Sequence, residues 1–131
     1  MTDTLPHPYD LAYEAAVRDP EGFWATAAQG IHWDRPWDHV LDDAAAPLYR
    51  WFSGGELNTC FNAVDRHVEN GRADQAAVIY DSPVTHIKRT LTFRELRDQV
   101  ARFAGVLRSL GIAQGDRVVI YMPMSVEGVV A

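Results

Sequence analysis

The spacing of apolar residues changes character several times along this chain. Leu96, Val100, Phe103, Ala104, Leu107 and Leu110 recur at steps of three and four, which predicts one long amphipathic helix. Thr92 and Glu95 stand at its start with the spacing of a capping box, and Gly111 ends it. Phe61, Val64 and Val68 predict a second helix from Asn58 to Asn70, capped by Asn58 and closed by Asn70-Gly71. Ala76 to Tyr80 is a compact strand stopped by Asp81-Ser82-Pro83. Ile87 to Leu91 is another, with Ile87, Arg89 and Leu91 on one face and Lys88 and Thr90 on the other. The pair predicts an antiparallel hairpin through residues 81–86. After the turn Gly115-Asp116-Arg117, Val118 to Met122 is a short apolar run, and Ser125 to Ala131 begins a further helix. Helix, tight turn, buried strand, next helix is the rhythm of a doubly wound sheet.

The front of the chain reads differently. Asp10 to Arg18 predicts a short helix carrying Leu11, Ala15, Ala16 and Val17. Asp19-Pro20-Glu21 then starts a second, running to Gln29 with Phe23, Trp24 and Ala27 on its apolar face and Gly30 as its stop. Residues 31–57 show no period, yet hold Trp33, Trp37, Tyr49, Trp51 and Phe52 among prolines and aspartates. A long irregular stretch is uncommon inside a compact domain, so this one is expected to be an arm that plugs aromatics into a larger body. The expected fold is α/β, with a helical and irregular arm at 1–57 and the first elements of a layered sheet domain at 58–131. The break at Ala131, inside an apolar segment, predicts the front piece of a larger protein.

Composition narrows the function classes. With 47% hydrophobic and 23% charged residues the chain is an ordinary globular one. A net charge of −6 argues against a general nucleic-acid binder. The charge is uneven: residues 1–70 hold twelve acidic and four basic side chains, residues 71–131 six and eight. Cys60 is the only cysteine, so an internal disulfide and a cysteine metal cluster are excluded. Met1 to Pro6 lacks the features of a secretory signal or transit peptide, and no apolar run approaches the roughly 20 residues of a membrane span. The expected compartment is the cytoplasm.

Candidate chemistry is sparse. His32 and His39 lie near Asp34, Asp38, Asp42 and Asp43, but without ligand spacing, so a solvated acidic stretch is the better account than a metal site. Ser53-Gly54-Gly55 lacks the lysine and the preceding strand of a phosphate loop and reads as a turn. Cys60 is expected to be a buried structural thiol beside Phe61, with no positioned base. Arg35 between Trp33 and Trp37, and Arg50 beside Trp51, have the spacing of cation–π pairs inside the fold. Asp65, Arg66, His67 and Glu69 read as a solvated helix face. No nucleophile–base–orienter set is present.

Longer strings are more specific. Trp51-Phe52, Gly55-Glu56-Leu57-Asn58 and Asn62-Ala63-Val64-Asp65-Arg66-His67 resemble the front of short-chain acyl-CoA synthetases, in the adenylate-forming superfamily. Thr92-Phe93-Arg94-Glu95-Leu96, Gly115-Asp116-Arg117-Val118 and Tyr121-Met122-Pro123-Met124 continue the resemblance, which runs from about Tyr13 onward. Tyr121 to Met124 resembles the acetyl and propionyl branch in particular. Leu48 to Phe52 and Cys60 to Ala63 look closer to the propionyl side. Ser125-Val126-Glu127-Gly128 departs from the family pattern of an aliphatic residue, proline, Glu and Ala, and only Glu127 matches.

The resemblance implies an AMP-forming acid–CoA ligase. Propionate or acetate would be activated by ATP to an acyl-adenylate and passed to CoA, with Mg²⁺ offsetting phosphate charge. It implies a small carboxylate substrate and the remainder of the same polypeptide as partners, and no nucleic acid or membrane. The family's phosphate loop, acyl pocket, adenine site and catalytic lysine lie downstream of the matched strings. No catalytic, cofactor-binding or metal residue is therefore assigned within 1–131, and the segment is expected to be inactive scaffold. The alternative is a free-standing interaction module that uses the aromatic arm.

Overall fold

The computed structural model describes residues 7–131, which fall into two compact units, the first ending at Thr59 and the second running from Cys60 to Ala131. The reading of Met1 to Pro6 lies outside the described residues.

In the first unit, α1 (Pro8–Arg18) and α2 (Pro20–Ala28) are separated by one residue, Asp19. Its carboxylate accepts from the Gly22 amide at 2.9 Å, capping α2, while Pro20 fills the first helical position, where no amide is needed. The irregular arm expected at 31–57 is in fact partly ordered into strands. Strand β1 (His39–Asp42) pairs antiparallel with β2 (Arg50–Ser53), His39 opposite Ser53 and Asp42 opposite Arg50. Four-residue strands flanked by Asp and Pro are too short to show a period.

Their register comes from rings. Trp33 lies 5.0 Å from Trp37 and 5.4 Å from Phe52, and Trp37 lies 5.3 Å from Phe52, in tilted and edge-on geometries. Such pairs contribute about 0.5–1.5 kcal/mol each beyond the area they bury. Phe52 adopts a left-handed backbone, φ 53°, which costs roughly 1–2 kcal/mol. The cluster offsets that cost. The Trp33 indole also donates to the Ala28 carbonyl at 3.0 Å, tying the end of α2 to the cluster.

In the second unit the helix expected at 58–70 is present with an unexpected form. It opens at Thr59, contains one π-helical segment, Phe61–Asp65, and ends within Val68–Arg72, where Asn70 and Gly71 leave helical geometry. Val64 is buried and Phe61 and Val68 are half-buried, as the stripe predicts. Gly71, at φ 80°, turns the chain away.

Strands β3 (Ala76–Ser82) and β4 (Ile87–Thr92) form the predicted antiparallel hairpin, with a bulge between Ala76 and Val78. Asp81 and Lys88 face each other across it at 2.7 Å. Helix α3 (Phe93–Ser109) follows at once and rests on the hairpin through Leu91, 1% exposed, and Leu96, 6% exposed. Burying a leucine this completely contributes about 1.5–3 kcal/mol. Gly111 closes α3: its amide reaches Arg108 O at 3.0 Å and the Ile112 amide reaches Leu107 O at 3.1 Å, the Schellman pattern.

One expected element is missing. Val118 to Met122 is not a strand, and Val119 and Tyr121 stand 87% and 99% exposed. The β-branched run has a strand's composition but no hydrogen-bonded neighbour among the described residues, and a lone strand has no stability of its own. The strands present are antiparallel, so the mixed α/β class holds while the parallel rhythm is not realised. Helix α4 (Val126–Val130) does form, with Ser125 Oγ accepting from the Gly128 amide at 3.3 Å and Val126 buried.

Gly54 and Gly55 are where the first unit tolerates no side chain. A Cβ on Gly55 would sit 2.6 Å from the Trp33 ring, and one on Gly54 would meet the Asp38 carboxylate. Gly55→Ala is expected to lower the stability of the first unit by about 1–3 kcal/mol, read as a shift in the tryptophan-fluorescence midpoint in urea. An unchanged midpoint would show that the ring moves aside freely.

Candidate functional site

The residues singled out in the sequence do not converge. Ser53-Gly54-Gly55 is a turn, closed by the Gly55 amide donating to Phe52 O at 3.0 Å and packed under Trp33 and Asp38. The space a phosphate would need is filled. His32 lies 3.9 Å from Asp34, and among the described residues no three metal-ligating side chains come together. The reading of His32 and His39 as a metal site therefore has no geometry behind it.

Arg35 pairs with Asp38 at 3.3 Å and Glu56 at 3.6 Å instead of stacking on its tryptophan neighbours. The tryptophans pack on one another, which leaves the arm poorly suited as a binding platform.

Cys60 is exposed, against the expectation of a buried thiol. It immediately precedes the π-helical segment Phe61–Asp65. Its sulfur is 3.9 Å from Asp65 Oδ2. Partial desolvation first, then the Asp65 charge, push the thiol up from its ordinary range. That holds it protonated and unreactive at neutral pH.

The face read as solvated is the part that makes a contact. His67 and Phe93 have their rings 4.8 Å apart. The Arg72 guanidinium lies 5.2 Å from the same phenylalanine centroid and 3.1 Å from His67 Nδ1, and its Nε donates to Gln75 at 2.6 Å. Desolvation, then the charges of Arg72 and Arg66, lower the His67 pKa. Phe93 stands three residues before Leu96 and seven before Val100, at the head of the same face of α3.

The start of α3 is the obvious place to look for an anion site, since a helix N-terminus offers free amides. Here each is taken. Thr92 N–H donates to Glu95 Oε2 at 2.8 Å and Glu95 N–H to Thr92 Oγ1 at 3.2 Å. Phe93 N–H reaches Gln75 O at 3.1 Å and Arg94 N–H reaches Ala73 O at 3.0 Å. An open cleft of about 690 Å³ lies between α1 and α2, lined by Arg18, Asp19, Phe23 and Thr26 among others. A smaller groove of about 240 Å³ runs between α3 and α4 past Phe103, Met122 and Glu127. Neither holds a set of groups arranged for catalysis. No helix among the described residues is long and apolar enough to cross a membrane.

What identifies the chain is thus its fold and sequence together. Residues 64–131 match the family model described as AMP-binding enzyme, and residues 9–63 match acetyl-coenzyme A synthetase N-terminus. The chain belongs to the AMP-binding enzyme family. Within it the resemblance is to short-chain acyl-CoA synthetases. It is 53% identical over 116 residues to human acyl-CoA synthetase short-chain family member 3, mitochondrial, covering 88% of this chain and 17% of that protein. It is 51% identical over 124 residues to acetyl-coenzyme A synthetase of Cupriavidus necator, covering 94% and 19%. Among solved structures, acetoacetyl-CoA synthetase from Streptomyces lividans is similar at 32% identity and a TM-score of 0.80, over 95% of this chain and 19% of that one. The chain spans less than a fifth of the length of these relatives.

The capping box makes a pH prediction. The Thr92 amide first, then its hydroxyl, hold the Glu95 carboxyl below its ordinary range, with a smaller contribution from Arg89. A carboxyl lowered in the folded state contributes stability above its unfolded pKa and loses it as pH falls through the folded value. Melting temperature is therefore expected to drop between roughly pH 5 and pH 3, and Glu95→Gln to flatten that drop. An identical acid profile in the variant would remove Glu95 from the account.

Proposed function

We propose that the chain is the N-terminal region of an AMP-forming acid–CoA ligase acting on a short-chain carboxylate. The single observation that carries the reading is the back-to-back match of residues 9–63 and 64–131 to the two family models. In the proposed reaction of the whole protein, a carboxylate oxygen attacks the α-phosphorus of ATP and pyrophosphate leaves. The CoA thiolate then attacks the acyl carbon and AMP leaves.

Among the described residues no set of groups is arranged as a site for ATP, CoA or Mg²⁺. The amides at the start of α3 are spent, the Gly54-Gly55 turn is filled, and the described carboxylates do not cluster. No step is therefore assigned to them. Residues 1–57 serve as an arm and residues 58–131 as the first elements of the large domain, both scaffold for the remainder of the polypeptide. Propionate is favoured over acetate on Leu48 to Phe52 and Cys60 to Ala63, the strings that look closer to the propionyl side. The one free thiol fits a reducing compartment, and the cytoplasm is the proposed one.

ATP–pyrophosphate exchange tests this. The whole protein is expected to exchange with propionate and acetate above butyrate, and the 131-residue chain alone to show none. Exchange by the short chain would overturn the scaffold assignment. A whole protein silent with all of these acids would overturn the ligase reading.

A further inference from the structure

The contact among His67, Arg72 and Phe93 has no part in the proposed reaction, yet its chemistry is specific. His67 lies between the π-helical segment Phe61–Asp65 and the helix end Val68–Arg72, where Asn70 and Gly71 leave helical geometry. The π form is rare and tends to mark functional positions.

Arginine has only donors. With Arg72 Nη1 3.1 Å from His67 Nδ1, that nitrogen accepts. The imidazole is then neutral, with its proton on Nε2. The same ring lies against Phe93 of α3, and Arg72 lies over the phenylalanine from its other contact.

We propose that His67, Arg72 and Phe93 form a proton-sensitive latch between the helix end Val68–Arg72 and the start of α3. The neutral imidazole accepts from Arg72 and keeps the guanidinium over the Phe93 ring. A second proton, on Nδ1, removes the acceptor and sets a cation 3.1 Å from another. The charged groups acting on His67 are Arg72 and Arg66, both on its own helical stretch, and the group facing it from α3 is the uncharged Phe93 ring. No carboxylate among those groups offsets the new charge. Arg66 is occupied with Asn62 at 3.1 Å and Arg72 retains Gln75 at 2.6 Å. On protonation, Arg72 keeps its bond to Gln75 and leaves His67, and Val68–Arg72 loosens from α3.

The sign is fixed by this geometry. The latch is closed above the ordinary histidine range, near pH 6.5, and opens below it. Hydrogen–deuterium exchange on the whole protein, corrected for the intrinsic effect of pH, reads it directly. Peptides covering residues 60–73 are expected to lose protection roughly threefold or more from about pH 7.5 to about pH 5.5. His67→Gln keeps an acceptor that does not titrate, so its protection is expected to be independent of pH over that range. Arg72→Gln removes the repelling charge and is expected to weaken the response. Equal protection of the unaltered protein at both pH values would overturn the latch, whatever the variants do. An undiminished response in His67→Gln would overturn it equally.

Discussion

The second unit depends on one corner, where β4 becomes α3 between Leu91 and Glu95. Leu91 is its most completely buried side chain, and the chain reverses its hydrogen-bonding partner there within two residues. A strand-to-helix corner ordinarily leaves the helix's first amides without partners. Here the capping box takes the amides of Thr92 and Glu95, and the carbonyls of Gln75 and Ala73 take those of Phe93 and Arg94. The bonds to Gln75 and Ala73 hold the stretch between Arg72 and the start of β3 against α3. Helix, hairpin and the preceding helix end are therefore joined through one set of backbone groups. That set also closes the most accessible anion site on this unit, so the corner stabilises the scaffold and denies it a ligand with the same atoms.

The first unit is ordered by rings. Trp33, Trp37 and Phe52 meet within 5.4 Å of one another, and the Trp33 indole reaches back to α2. Two glycines are required because Trp33 and Asp38 occupy the space beside them. The cluster accounts for both the left-handed backbone of Phe52 and the short strands either side of it. Neither feature follows from local preference, since phenylalanine disfavours that conformation.

This difference explains what was legible in the sequence. Thr92 to Gly111 was read correctly at both ends, because a capping box and a Schellman glycine are satisfied by atoms a few residues away. Asp19 before α2 and the β3–β4 hairpin were legible for the same reason. The β1–β2 pair was not, because its register is written in contacts between residues far apart. Cys60 was placed inside because an ideal helix sets it four residues before Val64, on the apolar side; the structure leaves it exposed. His67 was read as solvent-facing for want of any local sign that Arg72 would face it across the helix end.

Gly115 and Val118–Met122 set the two cases side by side. Gly115 holds φ 95°, and the Asp116 carboxylate accepts from the Ala113 amide at 2.8 Å while its own amide returns to Ala113 O at 3.1 Å. The turn is complete within four residues, and Gly115 and Asp116 each have a structural reason to be there. The Gly-Asp pair that helps carry the family resemblance is thus accounted for by turn geometry and needs no catalytic role. The apolar run that follows has the stronger strand composition, yet it is not a strand. A turn closes on its own atoms, whereas a strand's amides and carbonyls point outward and need a neighbour. Composition expresses the preference of Val118 to Met122, and pairing alone decides whether that preference becomes structure.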